Sequence, residues 1–306
     1  MAVKLKKCAK AKELARHVPF PGKDANKYSR GKAVVVGGAA AYPGAACLSS
    51  LAALRMGAGY VEVVCAPESL QVVRANPNVV ARSWDGWTPA ASRLDDADPA
   101  RPAACLVGPG LEGVPDEAPM VLDVLRLCAN PVVVDGGAVA ALASEAGRTI
   151  ASLRAEAGLA TVVTPHLGEA RRLGDPFRMR PPKEDLQRKD GARFAQQLAD
   201  AYGATVLLKG PVTFIARSKM PHDGADDVVR AMRKGTPALA KAGTGDVLAG
   251  MVVALLAQGL APGKAAELAA VLHARAGSIA AAALGEVSVC ASDVAEAIPA
   301  AIAHIC

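Results

Sequence analysis

Short runs of branched apolar residues recur along this chain, and most of them stop at glycine, proline, aspartate or lysine. Ala33–Val36 ends at Gly37-Gly38, Ala104–Val107 at Gly108-Pro109-Gly110, and Pro131–Val134 at Asp135. Thr161–Val163 runs into Thr164-Pro165-His166, and Thr205–Leu208 into Lys209-Gly210. Such runs have no polar alternate face, so each must be covered on both sides. Strands of a mainly parallel sheet with helices on both faces meet that demand. Tyr60–Cys65 reads as a further strand, and Val212–Ala216 as an antiparallel continuation of Thr205–Leu208. Gly44–Met56, Pro67–Ala75, Asp116–Cys128 and Lys183–Tyr202 read as helices, and helices fill the C-terminal third. The expected class is α/β, with a central, mainly parallel sheet. One domain is expected over residues 31–306, behind a basic N-terminal extension at 1–30. Ser83–Pro102 and Gly174–Pro182 read as surface loops.

Composition narrows the function classes. Aromatics make up 3% of the chain, so the core must be built from Ala, Val and Leu. Much of the net charge of +6 comes from Lys4, Lys6, Lys7, Lys10 and Lys12. No aromatic side chains interleave with them to stack on bases, so a solvated, dispensable tail is expected and a nucleic-acid partner is not. The seven cysteines are odd in number and show no CxxC spacing, which argues against a disulfide framework or a zinc site. Reduced thiols in a cytoplasmic protein are expected. The N-terminal lysines precede no apolar run, unlike a signal peptide. The apolar stretch Gly250–Leu284 is broken by Gln258, Gly259, Pro262, Gly263, Lys264 and Glu267. It reads as two buried helices and not as a membrane span.

The segment Ala242-Gly243-Thr244-Gly245-Asp246 leads into an apolar helix beginning near Val247. The first N–H groups of a helix lack internal partners and sit at the positive end of its dipole. Glycines there let an anion approach closely, so the segment reads as a phosphate nest. An aspartate would repel a phosphate that stays in place. It suits a base that takes a proton from a hydroxyl attacking phosphorus. The plainer alternative is a glycine turn with Asp246 as a stabilising charge on the first helical turn. His166 alone could be a capping residue, Lys209 a surface charge and Asp135 a loop residue bonded to its own backbone. Gathered at the carboxyl edge of one sheet, they describe a site for a large, phosphate-bearing ligand.

Taken together these segments resemble the ADP/ATP-dependent NAD(P)H-hydrate dehydratases, a branch of the ribokinase-like superfamily. The resemblance is carried by Gly37-Gly38 with Tyr42-Pro43-Gly44-Ala45, by Leu54-Arg55-Met56-Gly57-Ala58-Gly59 and by Gly108-Pro109-Gly110-Leu111. Thr164-Pro165-His166-Leu167-Gly168-Glu169, Leu208-Lys209-Gly210 and Gly243-Thr244-Gly245-Asp246 complete it, over roughly Gly31 to Ile302. It implies a ribokinase-like fold. It also implies phosphorylation of the C6 hydroxyl of NADHX or NADPHX by ADP or ATP with Mg2+, followed by elimination of phosphate. Asp246 would be the base and Gly243, Thr244 and Gly245 the anion hole. Lys209, Gly210, Pro211, Val212, Thr213 and Gly245 would line the nucleotide site. Ala45, Gly110, His166 and Asp246 would contact the dinucleotide, with His166 on a substrate side away from Lys209 and Gly245. The sequence names no ligand for the metal. About thirty residues precede the first expected strand, fewer than the family's epimerase domain needs, so a stand-alone form is expected. A homo-oligomer and a separate epimerase acting in the same pathway are implied. Three positions depart from the family pattern. Asp135-Gly136-Gly137 lacks a second Asp, Thr236 stands where Asn is usual, and Glu112 replaces a glycine after Leu111. A small-molecule kinase of a vitamin precursor or sugar, and a non-catalytic nucleotide-binding relative, are the competing readings.

Overall fold

Along Lys32–Val36, alternate side chains enter two different cores. Ala33 and Val35 belong to one apolar cluster, Val34 and Val36 to the other, and all four are fully buried. Each face of the sheet therefore needs a layer of helices, and each has one. A computed structural model describes residues 3–182, 189–218, 228–233 and 235–306. Its strands are β1 (Lys4–Lys7), β2 (Lys32–Val36), β3 (Tyr60–Cys65), β4 (Val80–Ser83) and β5 (Ala103–Val107). They continue with β6 (Val132–Val134), β7 (Thr161–Val163), β8 (Thr205–Leu208), β9 (Thr213–Arg217) and β10 (Val228–Met232). One sheet runs β1-β10-β9-β8-β7-β6-β5-β2-β3-β4. From β8 to β4 every neighbour is parallel, whereas β9 is antiparallel to both β8 and β10. The parallel expectation and the antiparallel Val212–Ala216 run both hold.

The strand order reverses at β2, which has β3 on one side and β5 on the other. Chains leaving the carboxyl ends of β2 and β5 diverge there, and open α/β sheets form their ligand crevice at such a point.

Low aromatic content is met by close helix packing. The Thr244–Ala257 helix is buried along nearly its whole length and crosses the Pro43–Arg55 helix. Their contact leaves no space for a side chain at Gly250, where a Cβ would lie 2.2 Å from the Ser49 carbonyl oxygen. The Pro262–Leu284 helix follows after a short turn, as expected. With a mean hydropathy of 1.2 it is long and apolar enough to cross a membrane, but 56% of that window is buried inside the protein. Its apolar character is accounted for by packing on the Thr244–Ala257 helix, as expected of a buried helix.

Other expectations are corrected. The basic N-terminus is not a free tail, because Lys4–Lys7 pairs in parallel with Val228–Ala231. Its lysine side chains are exposed while its backbone extends the sheet. No alternating apolar face marks Lys4–Lys7, so only pairing reveals the strand. Ser83–Pro102 is more than a surface loop. Trp87 donates to Ser92 Oγ at 2.8 Å, Ser92 donates to Glu62 Oε1 at 2.5 Å, and Ser92 and Leu94 are fully buried. The expected Pro67–Ala75 and Asp116–Cys128 helices each open with a single 3₁₀ turn, Pro67–Ser69 and Pro115–Glu117. Of Lys183–Tyr202, Lys189–Tyr202 is helical and residues 183–188 lie outside the described residues.

Gly250→Ala should destabilise the fold by about 1–3 kcal/mol, because the added methyl meets backbone that cannot swing aside. Denaturant unfolding measures this, and the midpoint should fall at unchanged slope.

Candidate active site

Two glycine turns define one half of the cleft. Gly38 N–H donates to Pro109 O at 2.8 Å and Ala39 N–H to Gly110 O at 3.0 Å, tying the loops after β2 and β5 together. Gly110 has φ +67°, and a Cβ there would lie 2.4 Å from Tyr42 O and 3.1 Å from the Ala45 Cβ. The structure thus brings Ala45 and Gly110 side by side, at the start of the Pro43–Arg55 helix.

The other half is built around one ammonium group. Lys209 Nζ donates to Asp135 Oδ1 at 2.7 Å, and Thr164 Oγ1 donates to the same oxygen at 2.7 Å. Three neighbouring strand ends, β6, β7 and β8, supply these three side chains. Lys209 Nζ also lies 3.2 Å from where a Cβ on Gly245 would stand, so it faces the start of the Thr244–Ala257 helix. Burial works against its charge, but Asp135, Glu169 and Asp246 outweigh that and raise its pKa. The Asp246 carboxyl is pushed up to about 7, first by burial and then by the charge of Asp135, with Lys209 pulling the other way. Burial also raises Glu169, again against Lys209.

The helix begins at Gly243, whose φ of +91° suits glycine, and no side chain caps it. Of the amides expected to face an anion, that of Thr244 donates to Lys241 O at 3.4 Å. The Thr244 hydroxyl bonds the loop carbonyls of Leu239 and Lys241 at 2.8 and 2.9 Å, so it braces the loop. Ser49 Oγ, midway along the Pro43–Arg55 helix, donates to Asp246 O at 3.0 Å and ties that helix to the start of the Thr244–Ala257 helix.

His166 caps the Leu167–Gly174 helix. Its Nδ1 accepts from Gly168 N–H at 3.0 Å and Glu169 N–H at 3.3 Å, while Glu169 Oε2 accepts from His166 N–H at 2.8 Å. An accepting Nδ1 leaves the ring proton on Nε2, which lies 3.4 Å from Glu169 Oε1. The expectation that His166 sits away from Lys209 is corrected. Their backbones form a parallel bridge, and Lys209 N–H donates to Pro165 O at 2.8 Å. Adjacent strands end at the same level, which the linear sequence does not display. Gly210, Pro211 and Val212 form the turn into β9, with Thr213 its first residue.

Sequence reasoning missed the buried Thr164 and His273 and the half-buried Glu169 as parts of this cluster. A His followed three residues later by Glu was the available signal for the capping box that places Glu169. His273 carried no such signal. Burial lowers its pKa to about 4, and it faces the Thr244 backbone and Lys209. The departures from the family pattern also have places. A Cβ at Gly137 would lie 2.3 Å from Leu111 O, so the Leu111-Glu112 turn occupies the space beside position 137. Thr236 Oγ1 accepts from Ala238 N–H at 3.2 Å and donates to Glu286 at 2.7 Å, so its hydroxyl fixes the turn before the glycine loop.

A family profile described as NAD(P)H-hydrate dehydratase matches residues 33–300. The chain belongs to this family. It is 39% identical over 264 residues to the bifunctional NAD(P)H-hydrate repair enzyme Nnr of Salinibacter ruber, covering 83% of this chain and 44% of that one. It spans about half the length of such curated relatives. It is 30% identical over 291 residues to the ADP-dependent (S)-NAD(P)H-hydrate dehydratase of Xanthomonas campestris, covering 93% of this chain and 92% of that one. Among solved structures, the ADP/ATP-dependent NAD(P)H-hydrate dehydratase of Bacillus subtilis, co-crystallised with ATP/Mg2+, superposes with TM-score 0.78. It covers 100% of this chain and 99% of its own at 24% identity. A ribokinase-like superfamily protein of Enterococcus faecalis gives TM-score 0.75 at 22% identity, with 98% and 96% covered. The fold is ribokinase-like.

Replacing Lys209 with Met should leave Asp135 buried with no cation beside it. Breaking such a pair costs about 3–5 kcal/mol when fully buried, and Lys209 is partly exposed, so a loss of about 2–4 kcal/mol is expected in urea unfolding.

Proposed function

We propose that this chain is a nucleotide-dependent NAD(P)H-hydrate dehydratase that returns NADHX and NADPHX to NADH and NADPH. The observation that carries the reading is Asp246. Its carboxyl sits at an uncapped helix start beside Lys209, and burial and Asp135 raise its pKa to about 7. A base poised there is half-ionised near neutrality and can take a proton without being a permanent strong anion against phosphate. The family membership of the chain and its likeness to the ADP-dependent Xanthomonas enzyme support the choice of substrate and donor.

In this reading the nucleotide lies along the Lys209–Thr213 turn, with its terminal phosphate at Gly243, Thr244 and Gly245. Lys209 neutralises charge on the transferring group, and the amides of the helix start act as an oxyanion hole. The dinucleotide lies over Ala45 and Gly110, with the Nε2–H of His166 as a donor. Asp246 removes the proton of the C6 hydroxyl as its oxygen attacks the terminal phosphorus. AMP leaves when ADP is the donor. The ring nitrogen lone pair then expels phosphate from the adjacent carbon, and loss of a proton from the next ring carbon restores the double bond. Magnesium would neutralise charge on the phosphates and would be held mainly by their oxygens, because Asp135 Oδ1 and both Glu169 oxygens already have partners and the described residues offer no cluster of three ligands. Residues 31–306 form the catalytic domain in this reading, the protein works in the cytoplasm, and an epimerase acts beside it. Homo-oligomeric assembly is part of the same reading.

Incubation with NADHX and ADP or ATP, with Mg2+, tests the proposal. Reduced-nicotinamide absorbance should recover with one phosphate released per cofactor. A stable phosphorylated product with no recovery would mark a kinase instead. Asp246→Asn should lower turnover by about 10²–10⁴-fold while nucleotide still binds. In the wild type, kcat/KM should rise with pH through about 7, because only the ionised carboxylate can act as base. A flat profile from below to above that pH would remove Asp246 from the role.

A further inference from the structure

Residues that this chemistry does not use enclose a cavity of about 710 Å³ beside the β1–β10 edge of the sheet. One wall is the segment continuing β1, another is the end of β10, and the third is a face of the Pro262–Leu284 helix. Val271, Arg275 and Ile279 fall on that face at helical spacing, opposite His273, which turns toward the glycine loop. The cavity is therefore separated from the candidate active site by the body of the helix.

Four cations, Lys7, Lys10, Arg233 and Arg275, line it, and among the described residues no carboxylate does. Met232, Val271 and Ile279 give it an apolar floor. The carboxylate near its edge, Glu267, is already engaged by Ala9 N–H at 2.7 Å and by Lys264 at 3.9 Å. Arg275 Nε is buried with no hydrogen-bond partner among the described residues. Lys7, Lys10 and Arg233 are exposed and gather one sign of charge around the rim, while the buried Nε of the half-buried Arg275 lacks an acceptor and carries a desolvation penalty. An anionic group relieves both, and the apolar floor favours a ligand with an apolar body over a bare inorganic ion. The volume falls within the range of about 300–1,000 Å³ common for small-molecule sites. We propose that this cavity binds an amphipathic organic anion, with its carboxylate or phosphate head at Arg275 and its apolar body on Met232 and Ile279.

Fluorescence titration of the full chain with anilinonaphthalene sulfonate tests this. One saturable site per chain is expected. Dodecyl phosphate or dodecanoate, below micelle formation, should displace the probe, and the better competitor identifies the head group. Inorganic phosphate and dodecyltrimethylammonium should not displace it. The double variant Arg233→Met with Arg275→Met should weaken probe binding by at least about tenfold, as expected for loss of charged donors. Val271→Glu should weaken it as well, and thermal melting verifies that both variants fold. Unchanged affinity in both folded variants, displacement by the cationic amphiphile, or many weak sites in place of one would overturn the proposal. So would sedimentation showing a self-associated form that excludes the probe, since a second copy would then cover the cavity.

Discussion

Lys209 carries its charge into a place where burial alone would weaken it, and three carboxylates keep it there. Asp135 holds it directly at 2.7 Å, while Glu169 and Asp246 add their fields. The arrangement is unequal by design of the backbone. Asp135 takes both the ammonium and the Thr164 hydroxyl, so it is the settled partner. Asp246 has no such bond from Lys209 and bears the cost of its own burial. One carboxylate is thereby tied to two partners, and the other is left near neutrality at about 7. In the proposed reaction, a proton acceptor beside a phosphate needs that division of roles.

The scaffold makes this possible through close approaches of backbone. Gly250 lets the two central helices touch, which sets Ser49 against the Asp246 carbonyl. Gly37 and Gly110 let the loops after β2 and β5 lock together at the point where strand order reverses. These contacts are made by main chain and small side chains, which is how a chain with 3% aromatics still builds a rigid cleft.

Much of this was legible in the residues. The strands with continuous Val and Leu were placed within a residue or two, since two-sided burial leaves a plain mark in composition. The glycine loop, Lys209 and Asp246 were singled out correctly as neighbours because strand ends in such sheets share an edge. What stayed hidden depended on pairing across the sheet. β1 is a lysine-rich strand whose side chains face solvent, so nothing in its pattern separates it from a tail. His166 was set apart from Lys209 because only the order of β7 and β8 brings them together. Thr164 and Glu169 read as parts of a motif, and their convergence on one cation emerges only in three dimensions.

The fold holds Asp246 against its preference for charge. Its folded pKa of about 7 lies above the unfolded value of 3.8, so the native state binds the proton more tightly. Stability from this group is then full below the unfolded pKa and lost as pH rises through the folded one. Comparing urea unfolding of the wild type and Asp246→Asn at about pH 5 and about pH 8 tests this most directly. The Asn variant should gain stability over the wild type as pH rises, with the larger advantage at the higher pH. An advantage that does not grow with pH, or an Asn variant that becomes relatively less stable at the higher pH, would contradict it.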